Sequence, residues 1–419
     1  MTNSSVSNAS ADTAISTAPE NLPCKKEDEY TVADRPHAPD DRQSHRATLA
    51  NWDEPEHATW GFRHVREIIP TARIARSERP SPLPRRETAE QLPGVEELMG
   101  IGNTDALLVL HHGSVVHEEY ARGMRPDDTH ILMSVSKSIV GTLAGVLVQQ
   151  GALAPEDDVI TYIPEFAGTS FEGASVRDLL DMRAGTRYIE GGPETPAWSA
   201  QFGWAPGTPP EPDAITYLAR FDNMQEHGGP FAYRSILTDV LGLVLERAGG
   251  APLASLLGNE LWGPMGAESD ADLMVDRNGF AIAMAGICPT LRDFGRFGHL
   301  MLDGSAPDGR QVVPVSWIED TLRGGPDSAA VFGRDQYEQY FPVPPGGHYR
   351  NQWWVPAGGH VVVGLGAHGQ QLYVDREAGV VIAMLSTWPK PPAIRPSRIP
   401  IFAAFRAIAD HLSTSVPRL

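Results

Sequence analysis

The sequence predicts an α+β fold in which one sheet is flanked by helices and a helical lobe is inserted into it. Two observations carry that reading. Strand-like runs rich in β-branched residues cluster towards both ends of the body, around 106–120 and 353–385. Between them, from about 132 to 285, the apolar periodicity is that of helices joined by Gly and Pro loops. Terminal strands that pair would close one sheet, so 46–131 and 286–419 are expected to form a sheet lobe and 132–285 a mainly helical lobe. Residues 1–45 are polar and poor in large apolar groups, and are expected to be a poorly ordered arm.

In chain order, Thr59 to Ile69 reads as a short helix, followed by a proline-broken connection from Ser77 to Arg86. Ala106 to Leu110 and Val115 to Tyr120 read as a hairpin around His112-Gly113-Ser114. A helix starting at Ser134 and ending before Gly151 follows, with Ile139, Val140, Leu143, Val146 and Leu147 on its buried stripe. Further helices are expected over Val176–Met182, Asp213–Ala219, Ile236–Ala248 and Pro252–Leu261. Thr290–Leu302 and Ser316–Leu322 each start at a hydroxyl residue that can cap a helix. Strands then run over Trp353–Val355, His360–Val363, Gly369–Val374 and Val380–Leu385, and Pro400–Leu412 closes the chain as an amphipathic helix.

With 53 acidic against 34 basic residues the 419-residue chain carries a net charge of −19. That disfavours nucleic-acid and anionic-membrane partners. Two cysteines make no disulfide framework, and no apolar run reaches the length of a membrane span. A polar N-terminus without a hydrophobic signal core leads to the expectation of a cytoplasmic protein. The histidines show no paired ligand spacing, so neither metal nor cofactor is expected. The expected partner is a small-molecule substrate, and any self-association is expected to be a homodimer.

The stretch with most chemistry in it is Ser134-Val135-Ser136-Lys137. Residues three apart share a helix face, so the Ser134 hydroxyl and the Lys137 amine can meet in the first turn. Helix-start N–H groups favour negative charge developing there. The competing reading is a simple serine cap and a surface lysine. Lys137 is, however, the only lysine between residues 27 and 389, every other base there being Arg. An amine can lose its proton when buried, and a guanidinium cannot. Tyr233, in Phe231-Ala232-Tyr233-Arg234-Ser235 directly before a helix, is a candidate to shuttle a proton, or else a tyrosine packed beneath a loop. Ser235 is a candidate cap that also lines the site. In Gly364-Leu365-Gly366-Ala367-His368-Gly369, three glycines allow close approach, and the Ala367 N–H could join that of Ser134 as an oxyanion pair. His368 is a candidate substrate contact, or a structural histidine of the strand.

Taken together, Ser134-Val135-Ser136-Lys137, Tyr233-Arg234-Ser235 and the Gly-rich strand before a C-terminal helix resemble the serine β-lactamase and penicillin-binding-protein superfamily. Within it the chain looks most like the branch of class C-type carboxylesterases and 6-aminohexanoate-dimer hydrolases. His64 to Ala72, Gly185-Thr186-Arg187-Tyr188 and Gly366 to Gln370 support that likeness. The resemblance implies a largely antiparallel sheet, a Ser134 nucleophile, and Lys137 or Tyr233 as general base. It also implies Tyr188 as a contact to the substrate amide, and Trp204, or failing that Trp198, as a cleft aromatic. Departures are equally informative. Gly364-Leu365-Gly366 stands where β-lactamases and DD-peptidases carry Lys-Thr-Gly, and Ser235 stands where β-lactamases usually have asparagine. The function implied is acyl transfer from linear amides and short-chain carboxyl esters. A β-lactamase or DD-peptidase, or a catalytically silent binding protein of the same fold, are the rival expectations.

Overall fold

A computed structural model of the chain describes residues 47–87, 91–332, 346–389 and 398–414. The expected arm 1–45 lies outside them. The strands are β1 Thr71–Ile74, β2 Thr104–His111, β3 Ser114–Tyr120, β4 Ala271–Met274, β5 Ile287–Cys288, β6 His348–Arg350, β7 Trp353–Val355, β8 Val361–Leu365, β9 Gln371–Asp375 and β10 Val380–Ser386. The first six helices are α1 Pro55–Gly61, α2 Val95–Gly100, α3 Val135–Gln149, α4 Val176–Leu180, α5 Thr195–Gln201 and α6 Ala214–Ala219. The other six are α7 Ile236–Gly249, α8 Leu253–Leu257, α9 Leu291–Asp303, α10 Val315–Arg323, α11 Ser328–Val331 and α12 Arg398–Thr414.

Seven strands form an antiparallel sheet in the order β3-β2-β10-β9-β8-β7-β6. Early and late strands pair directly, with Val381 opposite Leu110 and Leu385 opposite Ala106. Side chains alternate across a strand, which sorts the helices by face. Gly298 of α9 lies against Leu372 and Val381, and Gly364 of β8, the cross-strand partner of Leu372, lies against Val135 of α3. Tyr373, which points the other way, packs its ring at a tilt against Phe405 of α12. The sheet is therefore sandwiched, with α3 and α9 on one face and α12 on the other, and the α+β expectation holds.

Differences from the sequence reading have local causes. The first helix starts at Pro55 rather than Thr59, because proline is preorganised for a first helical turn. It ends at Gly61, and only the 3₁₀ turn Val65–Glu67 covers the rest of the expected stretch. The helix expected from Ser316 begins one residue earlier after Pro314, with no hydroxyl cap. Leu253–Leu257 passes into a π-helical turn, Gly258–Trp262. A second sheet, β1-β4-β5, was not foreseen. Its strands hold four residues or fewer, too short for an alternating pattern to stand out.

Candidate active site

From Ile131 to Leu147 every residue is buried except Ser134. The chain reaches it along a pinned path. His130, Ile131 and Leu132 give their N–H groups to Pro289, Phe62 and Ile287, each at 2.9 Å. Met133 then takes a left-handed conformation, φ 51°. That is unusual for a side chain of its size and costs of order 1–3 kcal/mol. Ser134 occupies the N-cap position of α3, yet its hydroxyl makes no capping bond. It accepts instead from Lys137 Nζ at 3.0 Å.

Lys137 is 1% exposed, and its other hydrogen bond goes to the Met284 carbonyl at 2.8 Å. A carbonyl only accepts, so the amine must always direct an N–H at Met284. In its neutral form that leaves the lone pair free to aim at the Ser134 hydroxyl. Burial lowers the Lys137 pKa to about 8, against the opposing pull of Glu190 and Asp239, which favour the ammonium. An amine tuned to that range can accept a proton near neutral pH. Tyr233 brings its ring to 5.0 Å from Nζ and stacks on Trp354. The structure thus gathers Ser134, Lys137 and Tyr233.

Around this centre, Ser235 does not cap α7 with its side chain. Its Oγ and N–H both donate to the Glu190 carboxylate, at 2.7 and 2.8 Å. Arg234 is buried and ties the loop down through the Ala184 and Tyr188 carbonyls. Tyr188 is itself buried, edge-on to Phe221. Burial and the neighbouring Glu190 and Asp239 raise its phenol pKa, so it remains a neutral hydroxyl. The two candidate tryptophans part company. Trp198 is buried with its indole N–H turned to Asp239, whereas Trp204 is half-buried.

Across from the helix start, Gly364 and Gly366 explain how the sheet comes so close. A Cβ at Gly364 would meet Val135 Cγ1 at 2.8 Å, and one at Gly366 would meet the Leu132 carbonyl at 2.8 Å. Ala367 is the only residue from Val361 to Asp375 that is not buried. Among the described residues neither the Ser134 nor the Ala367 N–H donates to a protein acceptor. Unengaged N–H groups are one requirement of an oxyanion pair. His368 is 6% exposed, with Nδ1 against the Trp388 carbonyl at 2.6 Å and its ring edge-on to Phe62. Those contacts fasten the turn after β8.

Three contributors were missed from sequence. Glu190 reads as an ordinary loop acid, Met284 acts through its backbone, and Asp239 reads as a helix-start acid favoured by the dipole. The signal for Asp239 was its place among Ile236, Leu237, Val240 and Leu241, a stretch buried on every side.

Residues 94–401 match the family described as Beta-lactamase. The chain belongs to the beta-lactamase family. It is 36% identical over 354 residues to a 6-aminohexanoate-dimer hydrolase of Paenarthrobacter ureafaciens, covering 82% of this chain and 89% of that protein. It is 28% identical over 193 residues to the esterase EstB of Burkholderia gladioli, covering 42% and 48% of the two chains. A solved structure of a protein titled a 6-aminohexanoate-dimer hydrolase from Bacillus anthracis shares the fold, with a TM-score of 0.75 and 23% identity. That likeness covers 88% of this chain and 97% of the other. The family and these relatives make the chain a hydrolase.

Proposed function

We propose that the chain is a serine hydrolase that cleaves linear amides, of the 6-aminohexanoate-oligomer kind, and short-chain carboxyl esters through an acyl-serine intermediate. The observation that carries this is the Ser134 hydroxyl held at 3.0 Å from a buried amine, with no competing role as a helix cap. In the first half-reaction the Ser134 proton passes to Lys137 or Tyr233 while Oγ bonds to the substrate carbonyl carbon. The N–H groups of Ser134 and Ala367 receive the oxyanion. Tyr233 gives a proton to the departing amine or alcohol, and then takes one from the water that frees the acid.

Tyr188 supports an amide substrate, because a phenol that stays protonated can hydrogen-bond a scissile amide group. Trp204 adds a half-buried aromatic wall, and Ser235 with Glu190 adds polar contacts. His368 contributes through the turn that carries Ala367. Gly364-Leu365-Gly366 offers no cation for a penicillin carboxylate. The proposal places this chemistry in the cytoplasm, in a monomer or homodimer, which fractionation and sedimentation would test.

The direct test is mass spectrometry after treatment with a fluorophosphonate. The expected result is one adduct, on the peptide carrying Ser134, and hydrolysis of a short ester that the adduct abolishes. An adduct elsewhere, or none with activity intact, would sink the assignment. Penicillin turnover matching that of the ester would turn the reading to a β-lactamase.

A further inference from the structure

The group that orients Lys137 is itself held from behind. Met284 turns its carbonyl to Nζ and its N–H to Asp239 Oδ1, at 2.8 and 3.1 Å. Asp239 has no exposed surface and stands in the first turn of α7, in the same segment that supplies Tyr233. Its second oxygen faces the indole N–H of Trp198 at 3.4 Å. A carboxylate sunk in an apolar helix is costly, and a neutral amide could accept the Met284 N–H equally well. Burial accordingly raises the Asp239 pKa to about 7, against the pull of the Met284 N–H and of Lys137, so the carboxylate carries its charge in the range near pH 8 where Lys137 gives up its proton.

We propose that Asp239 is a positioning residue for hydrolysis: through Met284 it fixes the direction of the Lys137 lone pair, and by its charge it sets the ease with which that amine exchanges a proton. The inference rests on the hydrolase reading above. The groups facing Lys137 are Ser134 from its own helix, the Tyr233 ring, Glu190 from the loop before α5 and Asp239 from α7. Asp239 in turn faces Lys137, Glu190 and Trp198, with Tyr188 and Tyr217 near enough to feel its charge. Glu190 exerts the larger pull on the ammonium, from an exposed position that solvent and salt can screen, and Asp239 adds its own from the interior.

The sign follows. Both acids favour the ammonium, so removing the Asp239 charge makes Lys137 easier to deprotonate. In Asp239→Asn the side-chain oxygen can still take the Met284 N–H. The acid limb of kcat/KM should then move down by about one pH unit, with plateau kcat kept within a few-fold. Asp239→Ala removes the anchor as well, and plateau kcat should fall about tenfold or more with KM little changed.

The experiment measures kcat and KM for a short-chain nitrophenyl ester between about pH 5 and 10 in wild type and both variants. Alongside it, 13Cε-lysine NMR follows the amine directly. The chain has four lysines, and the Lys137 signal is assigned by its loss in Lys137→Ala. Support is a Lys137 titration and an acid limb that both move to lower pH in Asp239→Asn. An unmoved titration in Asp239→Asn overturns the proposal, as does wild-type kcat in Asp239→Ala. Should the Ala variant fail to fold, the Asn variant decides alone. A wild type that cleaves no ester or amide would instead overturn the hydrolase reading, and the NMR titration would still judge Asp239.

Discussion

Two clusters of charge, one joining α4 to α10 and β6 and the other around Lys137 of α3 and Asp239 of α7, are built on opposite plans. In the first, Arg350 grips Asp320 with two hydrogen bonds, at 3.0 and 2.9 Å, and reaches Asp181 at 2.6 Å. Arg177 lies 3.7 Å from both acids and donates to Asn351, whose amide returns to Asp320 and Thr321. Two positive and two negative groups cancel. In the second, Lys137 touches neither carboxylate that shares its surroundings; it meets a hydroxyl and a carbonyl. The first cluster clamps a tight turn, Asn351-Gln352, in which both residues have positive φ. The second leaves an amine whose protonation is open to change. Closed pairing makes a fastening, and incomplete pairing makes a reactive group.

Breaking the second cluster should show in chemistry. Ser134→Ala is expected to lower hydrolysis by about four or more powers of ten while thermal unfolding stays close to wild type, as measured by ester turnover and calorimetry. Ser136→Ala should instead cost stability, about 1–3 kcal/mol, because the buried Ile287 N–H loses its acceptor at 3.1 Å. Equal loss of activity in the two variants would mean that Ser134 is not the nucleophile. Lys137→Arg keeps a cation but cannot supply a neutral base. It should be about as damaging as Lys137→Ala, roughly 10²–10⁴-fold in kcat.

Breaking the first cluster should show in folding. Arg350→Met leaves the buried Asp181 and the partly buried Asp320 poorly neutralised and should lower unfolding free energy by about 3 kcal/mol in denaturant titrations. Its surviving folded fraction should keep the wild-type pH profile, which sharpens the contrast. In wild type, kcat/KM should rise with pH and level off above about 8, since burial lowers the Lys137 pKa to about 8 and the neutral amine is the active form. A profile flat through that range would remove Lys137 as the base. The smallest effect expected is that of Tyr188→Phe, which should cost a matched amide up to about tenfold more than the ester. Equal losses would release Tyr188 from its role at the amide.

The asymmetry also explains what the sequence disclosed. Ser134 and Lys137 are legible because a hydroxyl and an amine three residues apart share a helix face, and Tyr233 because it stands in a loop directly before a helix. The long helices α3, α7 and α9 are legible because their apolar stripes repeat. Asp239 and Glu190 are not, because they lie about a hundred and about fifty residues beyond Lys137 with no local pattern to mark them, and only folding sets them near it. Met284 could not be read at all, since a backbone carbonyl carries no residue signature. Arg350 and Asp320 look like any exposed pair on a strand and a helix until folding brings them together beside the Asn351-Gln352 turn, half-buried. The short strands β1, β4 and β5 exist through tertiary pairing rather than local pattern.

The bare backbone at Gly364 has a consequence for the history open to this pocket. By the resemblance drawn from the sequence, Gly364 stands where penicillin-recognising proteins carry a lysine, one substitution away from a carboxylate-binding site. The packing closes that route. Any side chain at 364 begins with a Cβ at 2.8 Å from Val135 Cγ1, and Val135 is a stiff, fully buried residue directly after Ser134. Gly364→Lys alone would push the helix start away from the sheet and misplace Ser134 before the new cation met any ligand. The lysine becomes tolerable only after residue 135 has been made smaller, a change with no benefit of its own. With this pairing, the order in which the two substitutions are made decides whether position 364 can carry a cation at all.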